Sequence, residues 1–310
     1  MTKKQFFLLF CGIVVACFFS VRIYYALTDD FRFSNIVYQM PYEKNWEIRA
    51  PSEGELASID HILGQSFHYL GKGSQSYAFV SDDNQYVLKF FKFKHLRPSW
   101  FVDLLPPVGF LKNYKDKQRA RKTRKLFGVF NSHKLAYDVD REESGLIFIQ
   151  LNTVENLPRK VTVLDKLGIS HTINLEHVPF VLQKKGEVLR DVLGKLLSEG
   201  QIEEAKTRIG QIFALYIREY DKGIFDHDHG VMRNLGFVGD EPLHLDVGKL
   251  MADSRMLDSE ERSKDLGLVV NSLKKWILEH YPQYSSEISL VPDVNINHRE
   301  HENHERGKQA

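Results

Sequence analysis

The sequence predicts an α+β protein of two lobes, strands gathered in the first and helices in the second, carried behind a single membrane-spanning helix. Three observations predict it. An apolar run of bilayer length stands at the N-terminus, short β-type runs fill the nearer part of the remaining chain, and apolar residues at helical spacing fill its farther part. Strands before helices, rather than alternating with them, mark a segregated α+β chain.

Composition sets the outer limits. The 310 residues are 43% hydrophobic and 27% charged, ordinary for a globular protein and ample for one domain of about 250 residues or two lobes sharing a cleft. Lys and Arg number 42 against 41 Asp and Glu, a net charge of +1. Bulk charge therefore gives no argument for a nucleic-acid partner, and none is expected. The two cysteines, Cys11 and Cys17, both lie in the apolar run, which excludes disulfides and cysteine-ligated metals from the rest of the chain.

The first element is the anchor, residues 1–27. From Phe6 to Phe19 every residue is apolar or Gly, and the run resumes through Leu27. About 20 residues span a bilayer core as a helix, and Phe6–Leu27 reaches that length if Arg22 snorkels to the interface beside Tyr24 and Tyr25. Lys3 and Lys4 precede the run while Asp29 and Asp30 follow it. The positive-inside tendency then places the N-terminus of a single-pass protein in the cytoplasm and the domain outside it, an orientation that Arg32 and Lys44 soften. A cleaved signal competes, with Val14-Val15-Ala16-Cys17 as a lipoprotein-type box. The apolar run continues past Cys17, and that favours retention.

Residues 28–66 read as an aromatic-rich linker and a short helix, capped by Ser52 with Glu55 three residues on and apolar at Leu56, Ile59 and Leu63. The strand-rich lobe, 67–185, begins with Phe67–Leu70, Tyr77–Val80 and Tyr86–Phe91, joined by Gly71-Lys72-Gly73-Ser74 and Asp82-Asp83-Asn84. A basic helix follows from Lys112 to Lys134. Further strands are expected at Leu146–Leu151, Lys160–Asp165, Thr172–Leu175 and Pro179–Gln183. In the helical lobe, 186–291, Ile202, Ala205, Ile209, Ile212, Phe213, Tyr216 and Tyr220 form one stripe, and Gly223 ends it. A hairpin of Leu235–Val238 and Leu243–Leu245 comes next, then an amphipathic helix from Ser259 to His280. The tail, 292–310, is polar and His-rich, the composition of a disordered segment.

Three stretches carry chemistry. Gly71 and Gly73, between strands, let the backbone approach a phosphate closely; a plain hairpin turn is the bland alternative. Sixteen residues after Gly73, Lys89 sits on a strand between Val87-Leu88 and Phe90-Phe91, a place where an ammonium needs an anionic partner. Lys92 and Lys94 continue the alternation, as a solvated face would. The third stretch runs Gly223-Ile224-Phe225-Asp226-His227-Asp228-His229-Gly230-Val231-Met232-Arg233-Asn234, then the hairpin, then Asp246-Val247-Gly248. Asn234 and Asp246 bracket the hairpin twelve residues apart, so that both emerge at the same end of two paired strands.

Taken in order, these stretches resemble the protein-kinase-like superfamily, which includes small-molecule phosphotransferases, over Phe67–His280. The resemblance implies a two-lobed protein-kinase-like fold that transfers phosphate from MgATP. By position, Gly71 and Gly73 cover phosphates, Lys89 pairs with them, Asn234 and Asp246 hold Mg2+, and Val178–Lys185 is the hinge behind the adenine. The implied partners are the membrane, the nucleotide and an acceptor, either small molecule or protein.

Several features depart from the family pattern. The catalytic Asp is expected five residues before the Asn, where this chain has His229; Asp228 sits six before. Either residue can orient an acceptor hydroxyl, since His is a competent base near neutral pH. The basic helix offers only Asp116 as a partner for Lys89, no A-P-E follows Asp246-Val247-Gly248, and the long interval before Asp228 suggests an inserted hairpin around 155–176. These departures leave two readings open: a minimal phosphotransferase, or an inactive pseudokinase serving as a membrane-tethered binding module. The run Asp226-His227-Asp228-His229 also has the residue types of a transition-metal site. His298, His301 and His304 would bind metal weakly. The basic stretch Lys112–Lys125 reads as a solvated face or a contact for anionic lipid or phosphorylated substrate.

Overall fold

The computed structural model describes residues 2–152 and 159–288. The His-rich tail, with His298, His301 and His304, lies outside the described residues. The protein is a mixed α+β chain in two compact units, residues 1–131 with 147–185 and residues 132–146 with 186–310. It begins with an apolar helix, α1 (Lys3–Leu27), none of whose residues is buried. Thr2 and Gln5 close a capping box at its start. Its mean hydropathy reaches 2.5, and it is long and apolar enough to cross a membrane.

The first unit is built on a seven-stranded sheet. Its strands are β1 (Ser66–Lys72), β2 (Ser76–Ser81), β3 (Tyr86–Phe91), β4 (Leu146–Gln150), β5 (Lys160–Leu164), β6 (Ser170–Asn174) and β7 (Phe180–Lys184), in the order β4-β7-β3-β2-β1-β5-β6. The β1–β2, β2–β3, β3–β7 and β5–β6 pairs are antiparallel, whereas β5 joins β1 in parallel. The expected insertion around 155–176 is thus a hairpin, β5–β6, that extends the sheet past β1; residues 153–158 lie outside the described residues. Strand β5 stops one residue before the expected Asp165 because that carboxylate turns the chain: Oδ1 accepts the N–H groups of Leu167 and Ile169.

Helix α2 (Glu53–Leu63) has the expected Ser52–Glu55 capping box. It lays Ile59, Ile62 and Leu63 on Phe67, Phe79, Leu88 and Phe90 of the sheet. The aromatic segment ahead of it joins the same unit. Phe31 and Ile36 enter this core, and the Trp46 indole donates to Asn131 Oδ1 at 2.8 Å. Burying each such side chain contributes about 1.5–3 kcal/mol, so residues 31–46 are fastened down rather than spanning a gap. The basic helix α3 runs from Gly109 to Val139, longer at both ends than the Lys112–Lys134 charge pattern marks.

The second unit contains α4 (Leu189–Ser198), α5 (Ile202–Asp221) and α6 (Ser259–His280). It also has a small sheet of β8 (Glu187–Val188), β10 (Leu235–Val238) and β11 (Glu241–His244), and a two-stranded pair of β9 (Ile224–Asp226) and β12 (Leu250–Ala252). On α5 the stripe Ala205, Ile209, Ile212, Phe213, Tyr216 and Tyr220 is buried as its spacing predicts. Gly223 follows in the left-handed region at φ 68°, where a side chain would be strained. Asp258 caps α6 through the N–H groups of Glu260 and Glu261. Gly236 on β10 is required by packing: a Cβ there would stand 2.2 Å from the Glu187 carbonyl oxygen.

Candidate active site

The seven sequence-predicted residues divide between the units. Gly71, Gly73 and Lys89 belong to the first; Asp228, His229, Asn234 and Asp246 belong to the second. Each set has its own local geometry.

In the first unit Gly71 follows a bulge in β1, facing Ala78 of β2, and Gly73 stands at the tip between the strands. A Cβ on Gly71 would meet nothing within 4 Å, and one on Gly73 would come no closer than 3.8 Å to Ser76 Oγ. Neither glycine is forced by the protein's own packing, and both leave room above the backbone. Lys89 lies in β3 between Ala78 and Val181, half-buried.

Lys92 does not continue the solvated face that alternation with Lys89 and Lys94 suggests. Strand β3 ends at Phe91, and Lys92 is buried at 5% exposure. Its Nζ donates to the Gly73 carbonyl at 2.7 Å and lies 4.4 Å from the centre of the Tyr77 ring. Its backbone N–H donates to Gln75 at 2.7 Å. Burial, together with the nearby Lys72 charge, pushes the ammonium down to about 8. Lys92 therefore fastens the glycine loop from beneath. One signal in the sequence marks it: every neighbour from Val87 to Phe93 except Lys89 is hydrophobic.

In the second unit the β10–β11 hairpin pairs Leu235 with His244, and the N–H groups of Leu245 and Asp246 both donate to the Asn234 carbonyl, at 2.6 and 3.1 Å. Asn234 and Asp246 thus emerge at one end of two paired strands, as their spacing predicts. The turn is tighter than expected, with Gly239-Asp240 at its tip and Pro242 already in β11. Asp246 is exposed and accepts the Gly248 N–H on Oδ1 at 3.2 Å. Asn234 is buried, and its Nδ2 donates to Asp226 Oδ2 at 3.3 Å. That bond fixes the amide's orientation, so Oδ1, the atom able to ligate a hard cation, is not the one spent on Asp226. Gly230 makes room for this side chain, because a Cβ there would stand 2.7 Å from Asn234 Nδ2. An acidic oxygen and an amide oxygen held on one hairpin end suit Mg2+, which takes few protein ligands beside phosphates and water.

Behind this end lies a buried charge cluster. Asp226, His244 and Glu219 are all fully buried. His244 Nδ1 lies 2.9 Å from Glu219 Oε1, and its Nε2 lies 3.6 Å from Asp226 Oδ2. Burial favours the neutral imidazole, but the Glu219 and Asp226 carboxylates outweigh it and raise His244 well above its usual range. Burial likewise pushes the Asp226 carboxyl up; contacts from His244, the Asp228 N–H and Asn234 overcome this and hold it below the usual carboxylate value. His244 thus stands between two buried acidic side chains. Motif reasoning on the sequence misses Glu219 and His244 as site residues. Their signal is a carboxylate on the apolar face of α5, beside Tyr216 and Tyr220, and a His between Leu243 and Leu245.

The four residues 226–229 disperse. Asp226 faces His244, Asp228 is exposed with Oδ1 3.0 Å from Lys249 Nζ, and His229 Nε2 lies 2.7 Å from Asp265 Oδ1. His229 adopts φ 47°, a left-handed conformation that turns its ring toward α6. The Tyr220 hydroxyl donates to the other Asp265 oxygen at 2.6 Å. The hydrogen bond to Asp265 raises His229 above the usual imidazole value, which favours an imidazolium with no lone pair to accept a proton. Among the described residues, no group of three His, Cys, Asp or Glu side chains is arranged to hold a metal. The transition-metal reading of 226–229 fails because these side chains reach for different partners.

No protein-family model matches the chain, and no curated protein matches it. Among solved structures it is similar to the co-crystal structure of WbdD and the kinase inhibitor LY294002, at a TM-score of 0.30 and 14% identity. The likeness covers 72% of this chain and 37% of that one, so this chain spans well under half the length of WbdD. Function is accordingly read from the chain's own residues.

Proposed function

We propose that the protein is a membrane-anchored, kinase-like phosphotransferase that uses MgATP. In this reading Gly71, Gly73 and Lys89 receive the donor phosphates, and Asp228 orients the acceptor hydroxyl. His229, engaged with Asp265, supports the loop rather than taking the proton. Helix α1 is the anchor, with Lys3 and Lys4 on the cytoplasmic side. The observation that carries the reading is the hairpin end at which Asn234 and Asp246 emerge together, with the Asn234 amide oriented by Asp226. Magnesium held there would neutralise phosphate charge as it moves toward the leaving group. The chain's own part is to hold those ligands rigid, which the buried Glu219–His244–Asp226 cluster does from behind.

The Lys249–Asp228 ion pair favours a second reading, a pseudokinase that binds nucleotide without transfer, because it occupies the candidate base. The two readings share one first test, thermal melting of the full chain in detergent. Nucleotide at about 100 times its Kd stabilises a folded protein by about 2.7 kcal/mol. A magnesium-dependent ATP shift that disappears in Asp246→Ala supports the site, since Asp246 is exposed and the variant should melt like wild type without ligand. No shift in the folded wild-type chain sinks both. Release of ADP by wild type and not by Asp228→Asn then separates a transferase from a binding module.

A further inference from the structure

Helix α1 carries one charge in its apolar stretch. Arg22 follows sixteen residues counted from Phe6, about 24 Å of helix at 1.5 Å per residue. A bilayer core is about 30 Å thick, so the long Arg22 stem reaches the headgroup layer at the helix's C-terminal side. At that level the protein has a cavity of about 660 Å³, lined by Arg22, Asp30, Arg32, Lys94, Arg97 and Asp103 among others.

The charges lining it do not cancel. Asp30 is held by Arg32 and by Lys94, whose Nζ lies 2.6 Å away. Burial pushes the Asp30 carboxyl up, but hydrogen bonds from Lys94 and Arg32 prevail and keep it below its usual value, hence ionised. Asp103 is bridged at 2.7 Å by Arg119, which is not part of the cavity wall. Arg97 donates to the Ser34 carbonyl at 3.2 Å, and Arg32 Nε is buried with no hydrogen-bond partner among the described residues. Four cations and two anions thus face the cavity, and one of the anions is already neutralised from outside.

The chain leaving the cavity wall at Ser99 supplies a second observation. Phe101, Leu104, Val108 and Phe110 are each more than half exposed, as is Phe33 beside the wall. Exposed aromatic and aliphatic side chains next to a basic pocket are what a segment lying in a membrane interface presents.

We propose that this cavity holds the phosphate of an anionic phospholipid, with Phe101, Leu104, Val108 and Phe110 dipping among the acyl chains of the same leaflet. Arg22 and Arg97 supply the uncommitted positive charge, while Arg32 and Lys94, tied to Asp30, shape the wall. The inference rests on α1 crossing a membrane, and it is independent of the phosphotransfer reading.

The test uses the full chain in neutral detergent, titrated with dihexanoyl phosphatidylglycerol, dihexanoyl phosphatidylcholine or inorganic phosphate, with bound lipid counted by native mass spectrometry. The expected result is binding of phosphatidylglycerol in preference to the other two. In Arg22→Gln/Arg97→Gln this affinity drops about tenfold or more, with melting of the lipid-free protein unchanged. Equal binding of phosphatidylcholine, equal competition by phosphate alone, or undiminished binding in the double variant overturns the proposal. Alkaline carbonate extraction of native membranes separates the two possible failures. A chain released into the supernatant refutes the anchor and this inference together; a chain that stays in the membrane yet shows no lipid preference refutes this inference alone.

Discussion

The region around Asn234 and the loop at Gly71 and Gly73 handle polar groups in opposite ways. In the former, the residues are interlocked: Glu219, His244, Asp226 and Asn234 form one buried chain, and Gly230 and Gly236 leave no space for a side chain. In the latter, Gly71 and Gly73 stand open, and one buried ammonium, Lys92, holds the loop through a carbonyl. A buried polar network is rigid because removing one member leaves its partner buried without its contact. A backbone loop fastened through its carbonyls leaves its glycines open above the backbone.

The largest expected effect breaks the rigid side. His244→Ala strands the Glu219 and Asp226 carboxylates without their cation, and breaking a buried pair in this way costs about 3–5 kcal/mol. Urea denaturation of the variant should show it. A loss below about 1 kcal/mol would mean that the cluster does not carry the interlocked charges assigned to it.

A pair of glycine substitutions sharpens the contrast. Gly236→Ala drives a methyl group toward the Glu187 carbonyl, and overpacking of this kind costs about 1–3 kcal/mol. Gly71→Ala meets open space and should stay within about 0.5 kcal/mol of wild type, while weakening ATP binding if phosphates pass over it. Equal melting losses in the two variants would erase the distinction.

A further effect is a pH slope. The Lys92 ammonium is lowered from 10.5 to about 8 in the folded protein, so between those values the unfolded chain binds more protons than the native one. Stability must then rise with pH from about 8 to about 10.5, and Lys92→Met should flatten that slope in chemical denaturation curves. A slope unchanged by the substitution would remove Lys92 from its place under the loop.

Local patterns were legible in the sequence where local physics decides them. The Ser52–Glu55 box, strand Tyr86–Phe91 and helix Ser259–His280 all stand where propensity, capping and periodicity put them. So does the end-to-end placement of Asn234 and Asp246, because a hairpin of fixed length fixes its own ends. The α1 span follows from apolar length alone.

What sequence did not yield depends on contacts between distant residues. The parallel addition of β5 to β1 joins strands more than ninety residues apart, and nothing in either strand's alternation names its partner. Lys89 and Lys92 look alike as alternating lysines, yet the end of β3 at Phe91 and the Tyr77 ring bury only Lys92. Asp226, His227, Asp228 and His229 are adjacent in sequence, but His244, Lys249 and Asp265 draw three of them to different partners. Sequence by itself determined many of the elements, the long apolar N-terminal helix and the order of the motifs, because these follow from backbone periodicity and hydropathy. Tertiary structure alone decided which charges are buried and with whom, because that cost is set by the low dielectric of a packed interior, which exists only once the distant partners have met.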